Sequence, residues 1–149
     1  MKRTRLAMWE WVLVLALVLA AWGLRVCLPA QVPPGWRDDE LINILALTGQ
    51  VLEGGPTIYF TGASGHEPLY HVLHAPVVAL VGMNPIGAHL LSIISGVLAV
   101  PLTYVLGRRL LGRAVGLLGT ALLVPSFWAL MYSRTAIRHA QVVPFALAA

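Results

Sequence analysis

The sequence predicts an all-α, polytopic membrane protein, and three observations carry that prediction. Hydrophobic residues make up 58% of the 149-residue chain and charged residues only 11%, where a soluble domain carries roughly 25% charged. So much apolar surface has no aqueous core to hide in. The apolar residues also gather into long runs, and about 20 of them in a helix cross a bilayer. Finally, the basic residues flank those runs: Lys2, Arg3 and Arg5 precede the first, and Arg108, Arg109 and Arg113 separate two later ones. Positive-inside bias accounts for both clusters. The net charge of +4 therefore reports topology and argues against nucleic-acid binding. The single cysteine, Cys27, excludes an intrachain disulfide and a cysteine metal cluster.

The first span is expected over about residues 6–28, with Glu10 and Arg25 near the two interfaces, where they can snorkel. Its start imitates a signal peptide. No clean cleavage site follows, and further apolar spans do, so it reads as an uncleaved anchor with a cytoplasmic amino terminus. Residues 29–84 then form an extracytoplasmic loop. The stretch Gln31-Val32-Pro33-Pro34-Gly35-Trp36 cannot propagate a helix. Asp38 or Asp39 next serves as N-cap of an interfacial helix running to about Glu53, with Leu41, Ile44, Leu45, Thr48 and Leu52 at helical spacing. Gly54-Gly55-Pro56 ends it, and residues 57–65 form a glycine-rich loop. A second interfacial helix opens at Pro68, a favoured first-turn position, continues to about Val81 with a bend at Pro76, and stops at Gly82.

Two spans follow, over about residues 85–106 and 114–131, joined by a basic cytoplasmic loop. Ser92, Ser95 and Gly96 on the first of these suit close helix packing. Residues 139–149 look like a fourth span cut short. The run lacks a polar end, so the chain is expected to be the amino-terminal part of one larger transmembrane domain. Trp9, Trp11, Trp22, Trp36, Trp128 and Tyr132 read as interfacial belt residues.

Five of the six acids, Asp38, Asp39, Glu40, Glu53 and Glu67, fall in the loop of residues 29–84, so chemistry is sought there. The triplet Asp38-Asp39-Glu40 has two readings. Carboxylates at a helix start accept from free N–H groups and meet the positive dipole end, for roughly 0.5–2 kcal/mol. One acid suffices for that, and three in a row repel, so one of them also reads as a general base or metal ligand. Glu67, His71 and His74, at spacings of four and three, share one helical face and make a candidate divalent-metal site. The bland reading there is an interfacial helix with two partly wet histidines. Arg134 and Arg138 lie four apart at the outer mouth of the last spans, suited either to a phosphate or to headgroup anchoring.

In order, these residues resemble the amino-terminal region of GT-C membrane glycosyltransferases, in particular the protein O-mannosyltransferase-like and aminoarabinose-transferase-like branches. The features that carry the resemblance are a first span followed by Asp39-Glu40, then Gly65-His66-Glu67-Pro68-Leu69-Tyr70, then a second external helix ending at Gly82. A span closed by Gly107-Arg108-Arg109-Leu110-Leu111-Gly112-Arg113 and then Tyr132-Ser133-Arg134-Thr135-Ala136 complete the set, which covers the chain from about Leu13 onward. The resemblance implies a GT-C-type helical bundle with two interfacial helices in its first external loop, set in the cell membrane. It also implies a polyprenyl-phosphate sugar donor and a lipid, glycan or protein acceptor, with the departing phosphate stabilised by Arg134, Arg138 or a divalent metal such as Mg or Mn. Asp39 matches the family's loop carboxylate, with Glu40 beside it, and Arg134 and Arg138 are placed to hold the donor phosphate. The chain departs from the pattern at Glu67, where a basic residue often stands, at His89, where arginine is common, and at His139, near where some relatives carry an acid. Two other classes compete: a transporter or ion-handling subunit, and a non-catalytic membrane scaffold. Transport proteins place ionisable groups within their spans, and these span interiors hold few.

Overall fold

The computed structural model describes residues 8–28, 31, 35–62 and 65–149, and among them the protein is all-helical. Helix α1 is Met8–Val26. The external segment folds as α2 (Asp38–Leu41), a π-helical stretch (Ile42–Thr48) and α3 (Gly49–Gly54), in direct succession. Then come α4 (Leu69–Val81), α5 (Pro85–Leu111), α6 (Arg113–Leu123), α7 (Phe127–Ser133) and α8 (His139–Ala148). The described residues hold no strand, only an isolated antiparallel bridge between Phe60 and His66 that folds the glycine-rich loop back on itself.

Helix α5 is the hub, packing against α1, α4, α6, α7 and α8. Asn84 caps its start, accepting from the N–H groups of Ile86 and Gly87 at 3.0 Å, with Pro85 in the first turn. The helix runs to Leu111, so the basic loop expected over residues 107–113 shrinks to a turn at Gly112. There φ is +94°, which favours glycine. The hairpin closes tightly. A Cβ on Gly116 would sit 2.8 Å from Arg108 N, and one on Gly107 would sit 3.0 Å from Gly116 Cα. Gly116→Val is therefore expected to force α5 and α6 apart, at a loss of about 1–3 kcal/mol read as a lower melting temperature.

Two helices, α1 and α5, are long and apolar enough to cross a membrane. The span expected over residues 114–131 takes a broken form. Helices α6 and α7 pass the same test only together, and they meet at an angle of 60°. Pro125 is the cause: it has no N–H to continue the helical ladder, and its ring crowds the preceding turn. The protein thus has two candidate spans, or three with the bent pair counted as one. Helix α8, with Pro144 inside, and α4 are shorter apolar helices. Exposed apolar side chains such as Leu15 and Leu19 of α1, Leu98 of α5, and Leu118 and Leu122 of α6 cover the outside. A water-facing surface rarely carries so much; a lipid-facing one does.

Glu10 and Arg25 do not snorkel. Both are fully buried. The Glu10 carboxylate takes Arg108 Nε at 2.9 Å, Arg113 Nη2 at 2.8 Å and the Tyr104 hydroxyl at 2.5 Å, tying α1, α5 and α6 together at one end of the bundle. A buried acid is tolerated only with such a full set of donors. Ala21, Val100 and Val124 pack beneath, with Leu17 and Val18 against them.

Candidate functional site

The triplet Asp38-Asp39-Glu40 divides its labour. The N-cap is Arg37, not an aspartate. Glu40, in the third helical position, reaches back to accept from Arg37 N at 3.0 Å. Its other oxygen accepts from Ala136 N at 2.8 Å and lies 3.0 Å from His89 Nε2. Trp36 packs on the His89 ring, with centroids 5.6 Å apart. Glu40 has no exposed surface. Burial pushes its carboxyl up, but the bonds from His89, Ala136 and Arg37 outweigh burial and hold it below its ordinary value. Expected to help in catalysis, Glu40 instead pins the external helix to α5 and to the corner between α7 and α8. Asp38 and Asp39, one and two positions earlier, are exposed, and no described residue bonds to either side chain.

The π-helical stretch has a visible cause. The Thr48 hydroxyl donates to Asn43 O, five residues back, at 2.7 Å, matching the wider π turn. Asn43 Nδ2 in turn donates to Ala136 O at 3.0 Å, adding a second tie to the same corner. Thr48 Oγ1 also faces His74 Nδ1 at 3.1 Å and His71 Nδ1 at 3.4 Å. His74 Nε2 lies 3.2 Å from Gly87 O, a carbonyl that only accepts, so Nε2 carries the proton, and Nδ1 and Asn43 O compete for the one hydrogen of the Thr48 hydroxyl. Both rings are fully buried. Burial lowers His71 to about 4 and also lowers His74, so both are neutral at physiological pH.

Because the folded forms resist protonation while unfolded histidine titrates near 6.5, this stabilisation is complete above pH 6.5. It is lost progressively as pH falls toward 4. Glu40, also held low, adds a further loss below its ordinary value near 4.5. Melting temperature is therefore expected to fall on acidification from pH 7 to 4. A flat profile over that interval contradicts the assignment.

The metal face expected from Glu67, His71 and His74 does not form. Helix α4 begins at Leu69, after Pro68, so Glu67 lies outside it and its carboxylate is exposed. The two histidines turn inward to Thr48, and among the described residues no group of three or more metal-ligating side chains stands together. Glu67 Oε2 instead pairs with Arg138 Nη1 at 3.4 Å. A bond from its own N–H, and then Arg138, hold its carboxyl below the ordinary range.

Arg134 and Arg138 part company. The Arg134 guanidinium donates to Leu24 O, Cys27 O and Leu28 O, at 2.5, 2.5 and 3.1 Å, capping the end of α1. It was expected to bind phosphate, but a fork so engaged has its donors committed to the fold. Among the described residues the Arg138 side chain keeps only its ion pair with Glu67. With Glu67, Tyr70, His139 and Gln141 it lines a cavity of about 530 Å³ between the starts of α4 and α8. Arg138 Nη1 and Gln141 Nε2 are buried there without a hydrogen-bond partner. Burial pushes the Tyr70 phenol up, so it remains a neutral donor. The cavity thus offers a cation, an amide, a phenol and one exposed carboxylate, a set suited to a polar anionic ligand.

No family model, curated protein or solved structure matches this chain. The geometry adds residues that the sequence did not single out. Gln141, three positions after Arg138, could have been found by extending the helical face from Arg138. The bond between His89 and Glu40 spans 49 residues and left no local signal.

Proposed function

We propose that this chain is the amino-terminal part of a GT-C-type glycosyltransferase, a multi-pass protein of the cell membrane. It transfers a sugar from a polyprenyl-phosphate donor to a lipid, glycan or protein acceptor at the outer face. One observation carries the reading: the fold consumes Glu40 and leaves Asp39, next to it, exposed and without a side-chain partner among the described residues. Glu40 is bonded to Ala136, two residues before the cavity-lining Arg138, which ties the helix that carries Asp39 to the segment that carries Arg138.

In this reaction Asp39 takes the proton of the acceptor hydroxyl as that oxygen bonds to the anomeric carbon. The bond from that carbon to the phosphate oxygen breaks, through an oxocarbenium-like state. Polyprenyl phosphate leaves with the electron pair, and Arg138, with Gln141 beside it, stabilises the departing charge. The family resemblance supplies the donor class and the outer face. Residues 1–149 alone do not transfer sugar, because further spans complete the donor groove.

The test uses membranes carrying the full-length protein and a panel of polyprenyl-phosphate sugars. Transfer is expected from at least one donor, and Arg138→Ala is expected to lower kcat/KM about ten- to a hundredfold through loss of a charge-assisted contact. No transfer from any lipid-phosphate donor, or full activity in Arg138→Ala, contradicts the proposal.

A further inference from the structure

Glu67 stands where a basic residue often occurs in the sequences this chain resembles, and the sugar-transfer chemistry gives it no task. Its place is fixed locally. The bridge between Phe60 and His66 ends one residue before it, and Pro68 leads into α4 one residue after it. The carboxylate therefore lines the Arg138 cavity, with 74% of its side chain exposed. Its Oε2 lies 3.4 Å from Arg138 Nη1, close enough for an ion pair but without a hydrogen bond. A bond from its own N–H, and then Arg138, hold the carboxyl below its ordinary range, so it stays ionised at neutral pH.

The same cavity holds a second donor. Gln141 is 8% exposed, and its Nε2 has no acceptor among the described residues. Arg138 and Gln141 together suit the oxygens of an anion. An incoming anion must take Arg138 from Glu67, and the carboxylate, being exposed, can swing aside without leaving the cavity. It then stands beside the ligand as a negative charge. Its repulsion grows in proportion to the charge on the ligand. A factor of about three against a monoanion thus becomes about ten against a dianion, because doubling the energy squares the ratio. Arg138 alone favours the dianion by the same scaling, and Glu67 opposes that preference.

We infer that Glu67 is a charge filter, making the cavity hold a singly charged phosphate diester and turn out a doubly charged phosphate monoester. The use of such a filter rests on the sugar-transfer reading. There the donor is a diester, joined to both lipid and sugar. When the anomeric carbon passes to the acceptor oxygen, the phosphate keeps the bonding pair and gains a second negative charge, while the acceptor proton goes to Asp39. The spent lipid phosphate then meets Glu67 as a dianion, and the Glu67–Arg138 pair re-forms as it departs. Glu67 thereby separates substrate from product by charge.

The test titrates two soluble probes into the full-length protein in neutral-detergent micelles, at about pH 8, by ligand-observed NMR. Phenyl phosphate is a dianion there, and methyl phenyl phosphate a monoanion. In Glu67→Gln the dianion is expected to bind about tenfold more tightly and the monoanion about threefold, so the ratio of their affinities shifts about threefold. Glu67→Asp keeps the charge and should keep the unaltered protein's ratio. A loss of folded protein alone moves both probes together and leaves the ratio where it was. Arg138→Ala should weaken both by about tenfold or more. An unchanged ratio in Glu67→Gln, or the same shift in Glu67→Asp, overturns the filter, and so does a failure of both probes to bind the unaltered protein. Assaying that protein with the lipid-phosphate sugars keeps the two ideas apart. Transfer with an unchanged ratio removes the filter alone. A shifted ratio without transfer from any donor removes the sugar-transfer reading and leaves the phosphate selectivity.

Discussion

Glu40→Ala is expected to destabilise the protein by about 3–5 kcal/mol, the usual loss when one partner of a buried charged set is removed. The substitution strands three groups at once. Ala136 N is left buried without an acceptor, His89 Nε2 loses its carboxylate, and Arg37 N loses its cap. Buried donors left unpaired carry the full desolvation penalty. Glu40→Gln keeps the shape and one acceptor oxygen, enough for Ala136 N and His89 Nε2, but sets an amide NH2 against Arg37 N, so it should recover part of the loss while removing the charge. Thermal unfolding in detergent separates the variants. If Glu40→Ala melts like the native protein, the carboxylate is not the clamp described here.

Asp39→Asn is expected to do the reverse. Its side chain is exposed and touches no described residue, so stability should change by less than about 0.5 kcal/mol. Sugar transfer should fall about 10²- to 10⁴-fold, the usual contribution of a general base. The two neighbours thus separate fold from chemistry. An Asp39→Asn protein that folds and transfers at the native rate removes Asp39 from the mechanism. The contrast also bears on the scaffold alternative, which gives Asp39 no effect on turnover.

Much of the architecture was legible in the sequence, because lipid imposes length and apolarity on each span in turn. The spans read at about residues 6–28 and 85–106 form as the apolar helices Met8–Val26 and Pro85–Leu111, and Gly82, Asn84 and Pro85 marked a boundary by their backbone preferences. Pro125 was equally visible, but whether a proline kinks or breaks a span depends on how its neighbours repack. The external helix was legible by spacing, whereas its π-helical turn came from the Thr48 bond to Asn43, a tertiary-supported detail.

The candidate site was legible as a set of residue types but not as a set of roles. Charge near a membrane boundary has two outlets, headgroup or protein, and composition does not distinguish them. Glu10, Arg25, Glu40 and Arg134 all turn inward, and Glu10, Glu40 and Arg134 do so through partners more than 40 residues away. Spacing placed Glu67 with His71 and His74 on one face, yet Pro68 precedes the helix and lets Glu67 turn to Arg138 instead. Asp38 and Asp39 stay exposed at the helix start, and Arg138 lines the cavity paired with Glu67.

The proposed chemistry requires the external segment to face away from the cytoplasm, and one labelling experiment addresses that directly. Ile58 is 94% exposed in the same loop. A single cysteine there, in a Cys27→Ser background, reports the side without touching Asp39 or Glu40. Intact cells treated with a membrane-impermeant maleimide should label Ile58→Cys fully. Labelling only after the membrane is permeabilised would put the Asp39 carboxylate in the cytosol and contradict the account.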